Sequence, residues 1–345
     1  MNTLHQILRL MKGTYNKAEL YKDQTVSDIL NLKVDEIIAD VLAGNEQGEE
    51  NLHRALYEIY ICSFVAPWSE EVLDVNDLQI LSIRKKLEQV WEAQLDQKYE
   101  EKIEALSDSE DFFKELESTI HSHHSGVEHP LFSYLKDNAT FEELREYIRQ
   151  EGPFDLCFSD ILCYLMPGIY GQKRIEIASN FWDEIGNGKQ DRTHRKLRID
   201  LMDVLNIDKD EHIQHPSRYC WEELALANFY FKSSLNRKRN TQALGALLCV
   251  EMAVPGKMDY VCDGLKRVGL EKRDLIYISE HSVVDIKHAQ GWRDDVLTPL
   301  LQERPDLKKE VLRGVFGRLE VAGLVCDKLF IRIKEEKRSE ISATV

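Results

Sequence analysis

The chain has 345 residues, 43% hydrophobic and 31% charged, enough to bury a sizeable core in one large domain or two modest ones and too apolar for intrinsic disorder. Acids outnumber Lys and Arg 61 to 45, a net charge of -16 that opposes a sequence-independent grip on phosphate backbones and sets nucleic acid aside as a partner. The longest apolar run, Ala243 to Val250, is far too short to span a bilayer. Seven cysteines without a C-x-x-C pair suit the reducing cytoplasm and neither a disulfide framework nor a zinc knuckle.

In chain order, Met1 to Lys17 contains an amphipathic segment (Leu4, Ile7, Leu8, Leu10, Met11) with no apolar signal core. Only 17 Gly and 8 Pro punctuate the whole chain, and apolar residues recur at helical spacing, so the reading is all-α. A long helix is expected over 76–106. The polar stretch Ser107-Asp-Ser-Glu-Asp111 supplies helix caps, which places a boundary near 107–125. Shorter helices are expected over 140–151, 154–166, 172–186, 191–205, 221–234, 238–254, 257–268 and 274–301, then a second long helix over 306–334 and a polar, fraying tail over 336–345. The basic runs Arg195-Lys-Leu-Arg198 and Arg237-Lys-Arg239 lack interleaved aromatics and read as solvated helix faces.

Nine of the eleven histidines lie beyond residue 120, which puts metal or acid-base chemistry in the later two-thirds. The sharpest pattern is His281-Ser-Val-Val-Asp285-Ile-Lys-His288. On a helix, offsets of four and seven set the three side chains within an arc of about 60°, and Tyr277, Ile278 and Trp292 continue that face as a partly buried stripe. Two imidazoles and a carboxylate aimed together suit iron, manganese or zinc; ordinary hydrogen-bonded polar residues are the plainer alternative. Glu184 and His194 flank Gly186-Asn-Gly188, where a helix is loosened. Glu151 stands just before a Gly-Pro bend. Together these residues offer three carboxylates and three imidazoles, a set appropriate to two iron ions inside a helical bundle.

With that ligand order, and with the phrases His129-Pro-Leu-Phe-Ser-Tyr-Leu, Gln150-Glu-Gly-Pro-Phe-Asp, Asp183-Glu-Ile-Gly-Asn-Gly and Gly291-Trp292, residues 120 to 305 resemble the haem-oxygenase-like diiron oxidases, a family of iron-containing redox enzymes. The resemblance implies a haem-oxygenase-like helical bundle over 121–335 preceded by a helical dimerisation or covering region over 1–120. It implies two Fe(II) per chain held by Glu151, Glu184, His194, His281, Asp285 and His288, O2 as cosubstrate, and a small amino-acid or amine substrate undergoing N-hydroxylation, desaturation or cyclisation, or C–C cleavage. A homodimer without membrane or nucleic-acid partners is expected.

Haem oxygenases and thiaminase-like relatives need no such six-residue set, and paired E-x-x-H motifs of ferritin-like bundles are absent. P-loop, G-x-S-x-G and H-E-x-x-H signatures are absent too, and Gly186-Asn-Gly-Lys189 lacks phosphate-loop spacing. Glu251 in an apolar helix and His129 in the pocket wall are candidates for contacting the ligands or the substrate rather than the metal. The loop-like cluster His121, His123, His124 and His129 is set aside as a metal site. Lys173, Arg174 and Arg192 are candidates for a substrate carboxylate, with surface charge as the plainer reading. The competing classes are a non-enzymatic helical binding or scaffold protein and a mononuclear zinc hydrolase using His281, Asp285 and His288.

Overall fold

A computed structural model describes residues 3–12, 23–70, 72–208 and 216–343, and among these there is no β-strand. The N-terminal region comprises α1 (Leu4–Lys12), α2 (Gln24–Leu42), α3 (Glu46–Tyr60), α4 (Leu78–Ser107) and α5 (Phe112–His121). Then come α6 (Pro130–Asp137), α7 (Phe141–Gln150), the single turn α8 (Gly152–Asp155), α9 (Phe158–Leu165), α10 (Gln172–Glu184), α11 (His194–Val204), α12 (Trp221–Leu235), α13 (Asn240–Ala253), α14 (Pro255–Arg267) and α15 (Ile276–Gly291). A wider π-turn over Trp292–Leu297 leads into α16 (Thr298–Glu303), and α17 (Lys308–Ala343) closes the chain. The all-α expectation holds, and helix spans match the apolar periodicity to within a few residues.

Local chemistry sets several ends. Thr140 and Glu143 form a reciprocal capping box at the start of α7, and Asp77 accepts from Gln79 and Ile80 at the start of α4. Asp111 occupies the cap position of α5 without a side-chain bond to it. α1 buries Leu4, Leu8 and Met11 as its amphipathic pattern requires but leaves Leu10 exposed; residues 13–17 of that segment lie outside the described residues. The polar stretch from Glu336 continues the α17 backbone to Ala343, since an already nucleated helix propagates through charged residues of good helix propensity.

Two apolar clusters organise the interior. The larger joins α1–α5 to Phe154, Phe231, Leu247 and Trp292, so the N-terminal region shares its core with the later helices. The smaller gathers Leu131, Ile148, Leu201, Leu265 and Ile278. Leu226 and Val254 pack against both, and both line a cavity on the seam.

α13 and α17 pack backbone against backbone, and two glycines make it possible. A Cβ on Gly314 would lie 1.9 Å from the carbonyl oxygen of Gln242, and one on Gly245 would lie 2.2 Å from that of Val311. Gly314→Ala therefore forces the backbones apart and should cost about 1–3 kcal/mol, read as a lowered urea midpoint of the full chain. An unchanged midpoint would show that the pair tolerates a wider spacing.

Candidate metal centre

α15 aims its three polar residues as the spacing requires. Asp285 and His288 are buried, and His281 Nδ1 donates to the Tyr277 carbonyl at 2.7 Å, in the tautomer that leaves Nε2 as an acceptor. Glu184 ends α10. Ten residues of uninterrupted helix would carry the chain about 15 Å, yet His194 Nδ1 lies 2.8 Å from Glu184 Oε1. The reversal is made at Gly186, Asn187 and Gly188, all at positive φ, and a Cβ on Gly186 would sit 2.4 Å from the Arg192 backbone. Glu151 joins α7 to α8 at the Gly-Pro bend.

The elements meet at a cavity of about 90 Å³. Glu151, Glu184, His194, His281 and Asp285 line it, and so does Glu251 from the last turn of α13. His288 completes the set from behind: ligand atoms of Glu251, Asp285 and His288 all lie within 4.8 Å of one another. All six sequence-predicted ligands are thus brought together, and Glu251 stands among them. Glu251 also borders an open cleft of about 560 Å³ beside α5, α14 and α15, so it forms part of the wall between solvent and cavity.

So many buried acids perturb one another. Burial, then the charges of Glu251 and Glu184, push the Asp285 carboxyl far above the usual carboxylate range. Burial and Asp155 raise Glu151, against the opposing pull of Arg198 and Tyr147. Glu251 is raised by burial despite its hydrogen bond with His288. Burial disfavours the charged form of His288, but Glu251 and a 3.1 Å hydrogen bond with Asp183 outweigh it and raise its pKa to about 9. Burial is likewise opposed at His194, where Glu184 raises the pKa, whereas burial and His194 together lower that of His281.

The donor set fits iron. It is entirely carboxylate and imidazole, with no thiol in the lining. Glu151 Oε2, Asp155 Oδ2 and His194 Nδ1 are buried without a hydrogen-bond partner, and the 2.8 Å approach of His194 to Glu184 lacks hydrogen-bond geometry. Orphaned buried polar atoms of this kind are costly unless something else satisfies them, and a shared cation would do so.

Several side chains differ from their sequence-level reading. His129 is not in the cavity wall: its Nδ1 caps α6 by accepting from Leu131 N, and its Nε2 lies 3.1 Å from Asp327. Among the described residues, the acid and imidazole groups close enough to share an ion do not include His123 or His124. Lys173 pairs with Glu303 at 2.7 Å, Arg174 donates to the Met166 carbonyl and Arg192 pairs with Glu280, so none of the three lines the cavity. Arg198, read as part of a solvated basic face, is fully buried: it donates to the Ile148 carbonyl and lies 3.8 Å from Glu151 and 3.6 Å from Asp155. Tyr277, expected on the buried stripe of α15, lines the cavity, and so do Asp155 and Arg318, which spacing did not mark. The available signals were a single acid one turn beyond Glu151 and a single cation inside the apolar run Val315 to Leu319.

The iron-containing redox enzyme family matches residues 145–323, half of the chain, and the chain belongs to that family. A nitrosourea synthase from Streptomyces achromogenes subsp. streptozoticus is 25% identical over 149 residues, 43% of this chain and 31% of that protein. The match thus spans less than a third of the relative's length.

A carboxyl whose folded pKa is raised must take up a proton to fold, so its penalty grows as pH rises above the ordinary carboxylate range. Asp285→Asn removes that penalty. The metal-free variant should be more stable than the metal-free wild type by on the order of 1 kcal/mol or more, with a larger gain at pH 8 than at pH 5 in urea unfolding. A variant destabilised at both pH values would mean that Asp285 is compensated by the protein alone.

Proposed function

We propose that this member of the iron-containing redox enzyme family is an O2-dependent diiron oxidase that modifies a small amino acid or amine. The observation that carries the reading is the convergence of Glu151, Glu184, His194, His281, Asp285, His288 and Glu251 on one buried cavity with too little protein positive charge to neutralise it. Glu251, Asp285 and His288 would hold one ion, and Glu151, Glu184, His194 and His281 the other. When bound, ferrous iron supplies the electrons that reduce O2 and carboxylates give it ligands able to change binding mode.

The chain's own residues set the conditions. Phe154, Phe158, Leu226, Val250 and Met258 exclude water from the oxidation site. Arg198 lies near both Glu151 and Asp155, so Asp155 retains a counter-charge when Glu151 turns to a metal. The Tyr277 carbonyl fixes the His281 ring, and Asp183 fixes that of His288. The nitrosourea synthase relative supports a nitrogen-containing substrate. N-hydroxylation, desaturation or cyclisation, and C–C cleavage are all compatible with this ligand set. The region 1–120 is proposed to cover the bundle and to supply a homodimer contact at exposed Ile29 and Leu32 on α2.

Anaerobic loading with Fe(II) should give about two iron ions per chain by metal counting, followed by an optical change when O2 is admitted. Glu251→Ala and Asp285→Ala should each remove at least one iron while leaving far-UV helical content largely intact, and His123→Ala with His124→Ala should leave iron content unchanged. One zinc and no iron uptake would favour hydrolysis instead. No metal uptake at all would point to a binding protein.

A further inference from the structure

Every acid in the cavity has a role at the metals or beside Arg198, but one cation has none. Arg318, from the middle of α17, lines the cavity and is 4% exposed. Its Nε donates to the Tyr230 hydroxyl at 3.3 Å, whereas its Nη1 is buried with no hydrogen-bond partner. Among the described residues it makes no ion pair. Other buried cations of this chain are compensated: Arg198 lies beside Glu151 and Asp155, and Lys232 pairs with Glu92 at 3.3 Å. Lys257 is the second exception. It is 5% exposed, makes no ion pair among the described residues, and rests its ammonium 5.3 Å from the centre of the Phe132 ring.

We infer that Arg318, reinforced by Lys257, is an anion subsite that receives the carboxylate of the substrate at the cavity wall. This deepens, and rests on, the reading of the cavity as a substrate site. An unpaired buried guanidinium is costly, and a Leu or Met in its place would pack the α13–α17 seam without that cost. Its retention is explained when a ligand brings the missing negative charge. A guanidinium presents two parallel N–H groups that match a planar carboxylate, and an apolar surround strengthens the pair. Lys257 stands on α14 beside Met258, which lines the same cavity as Arg318. Burial, with Arg318 adding to it, lowers the Lys257 pKa to about 8, so an anion placed near both would supply the counter-charge that each lacks. An ammonium in place of the carboxylate would be repelled. The apolar residues Phe154, Phe158, Leu226 and Val250 suit a short hydrocarbon body, which would carry the reacting carbon or nitrogen from this anchor towards the histidines and carboxylates.

Isothermal titration of the metal-free full-length chain tests this without oxidation chemistry and without carboxylate coordination to iron. The probes are hexanoate and L-norleucine, each against its own amide. At least one carboxylate should bind wild type tenfold or more tighter than its amide. Arg318→Gln should abolish that preference and Arg318→Lys should keep part of it. Tighter binding of L-norleucine would identify an α-amino acid as the source of the carboxylate, and tighter binding of hexanoate a simple carboxylic acid.

Fe(II) counted in the same preparations should match wild type in Arg318→Gln, because Arg318 is not a ligand. If Arg318→Gln does not fold, Lys257→Met provides the second variant, with the preference reduced several-fold. Equal binding of carboxylate and amide, no binding of any probe to wild type, or an undiminished preference in the folded variant would overturn the proposal. Failure of wild type to take up iron would overturn the metal-site reading instead, while leaving the carboxylate preference standing.

Discussion

Like charge held out of water is the constraint on which this structure turns. Glu151, Asp155, Glu184, Glu251 and Asp285 face one small cavity, and of the cations near it Arg198 is shared by two of them. Carboxylates desolvated together repel, and their usual escape is protonation or a bound cation. Apolar packing must hold the helices in place against that repulsion. The two clusters do so together, with Leu226 and Val254 packed against both, which explains why a polar site can persist where apolar surfaces meet. The described residues of the region 1–120 do not line the cavity, yet they belong to the larger cluster and so help to hold the walls.

The register between the ligand-bearing helices is fixed by contacts just outside the site. Trp292 donates from its indole to Asn180 at 2.9 Å, tying the end of α15 to α10, and Asn180 in turn donates to Glu176 at 2.8 Å. Gly291 permits this, because a Cβ there would meet the Glu176 carboxylate at 2.1 Å. The π-turn begins at Trp292, one residue beyond α15, where a widened turn re-aims the succeeding residues relative to the ligand triplet. Gly291 and Trp292 thus act on Glu184 and on His288 at once, through packing rather than through metal contact.

Helical periodicity made the architecture legible, since 3.6-residue spacing survives wherever one helix face is buried. The triplet His281, Asp285 and His288 was legible for the same reason: all three lie on one helix and their angles derive from spacing alone. Pairing Glu184 with His194 required a break in the helix, and the two glycines supplied the sign. The part of Glu251 was harder to read, because an acid in an apolar helix looks the same whether it meets a metal ligand or a capped core group. Only the packing of α13 against α15 sets it beside Asp285 and His288. Arg198 misled because three basic residues within four positions suggest a wet face. Yet only Arg195 and Lys196 are exposed, whereas Arg198 is fully buried.

The proposed ligands fall into two mechanical classes, and the difference bears on how a redox centre would work here. His281, Asp285 and His288 project from successive turns of one continuous helix, so their relative positions change only if that helix deforms. Glu151, Glu184 and His194 sit at helix ends joined by single turns or by the Gly186–Gly188 reversal, where small backbone rotations are cheap. A metal site whose ligands change binding mode needs one rigid side to preserve spacing and one compliant side to accommodate the change in charge. The compliant side lies beside Arg198 and Asp155, a counter-charge pair able to take up the difference when Glu151 shifts. Glu251 meets the α15 side from the last turn of α13, and it also borders the open cleft, so the cavity carboxylate nearest that cleft is held next to Asp285 and His288.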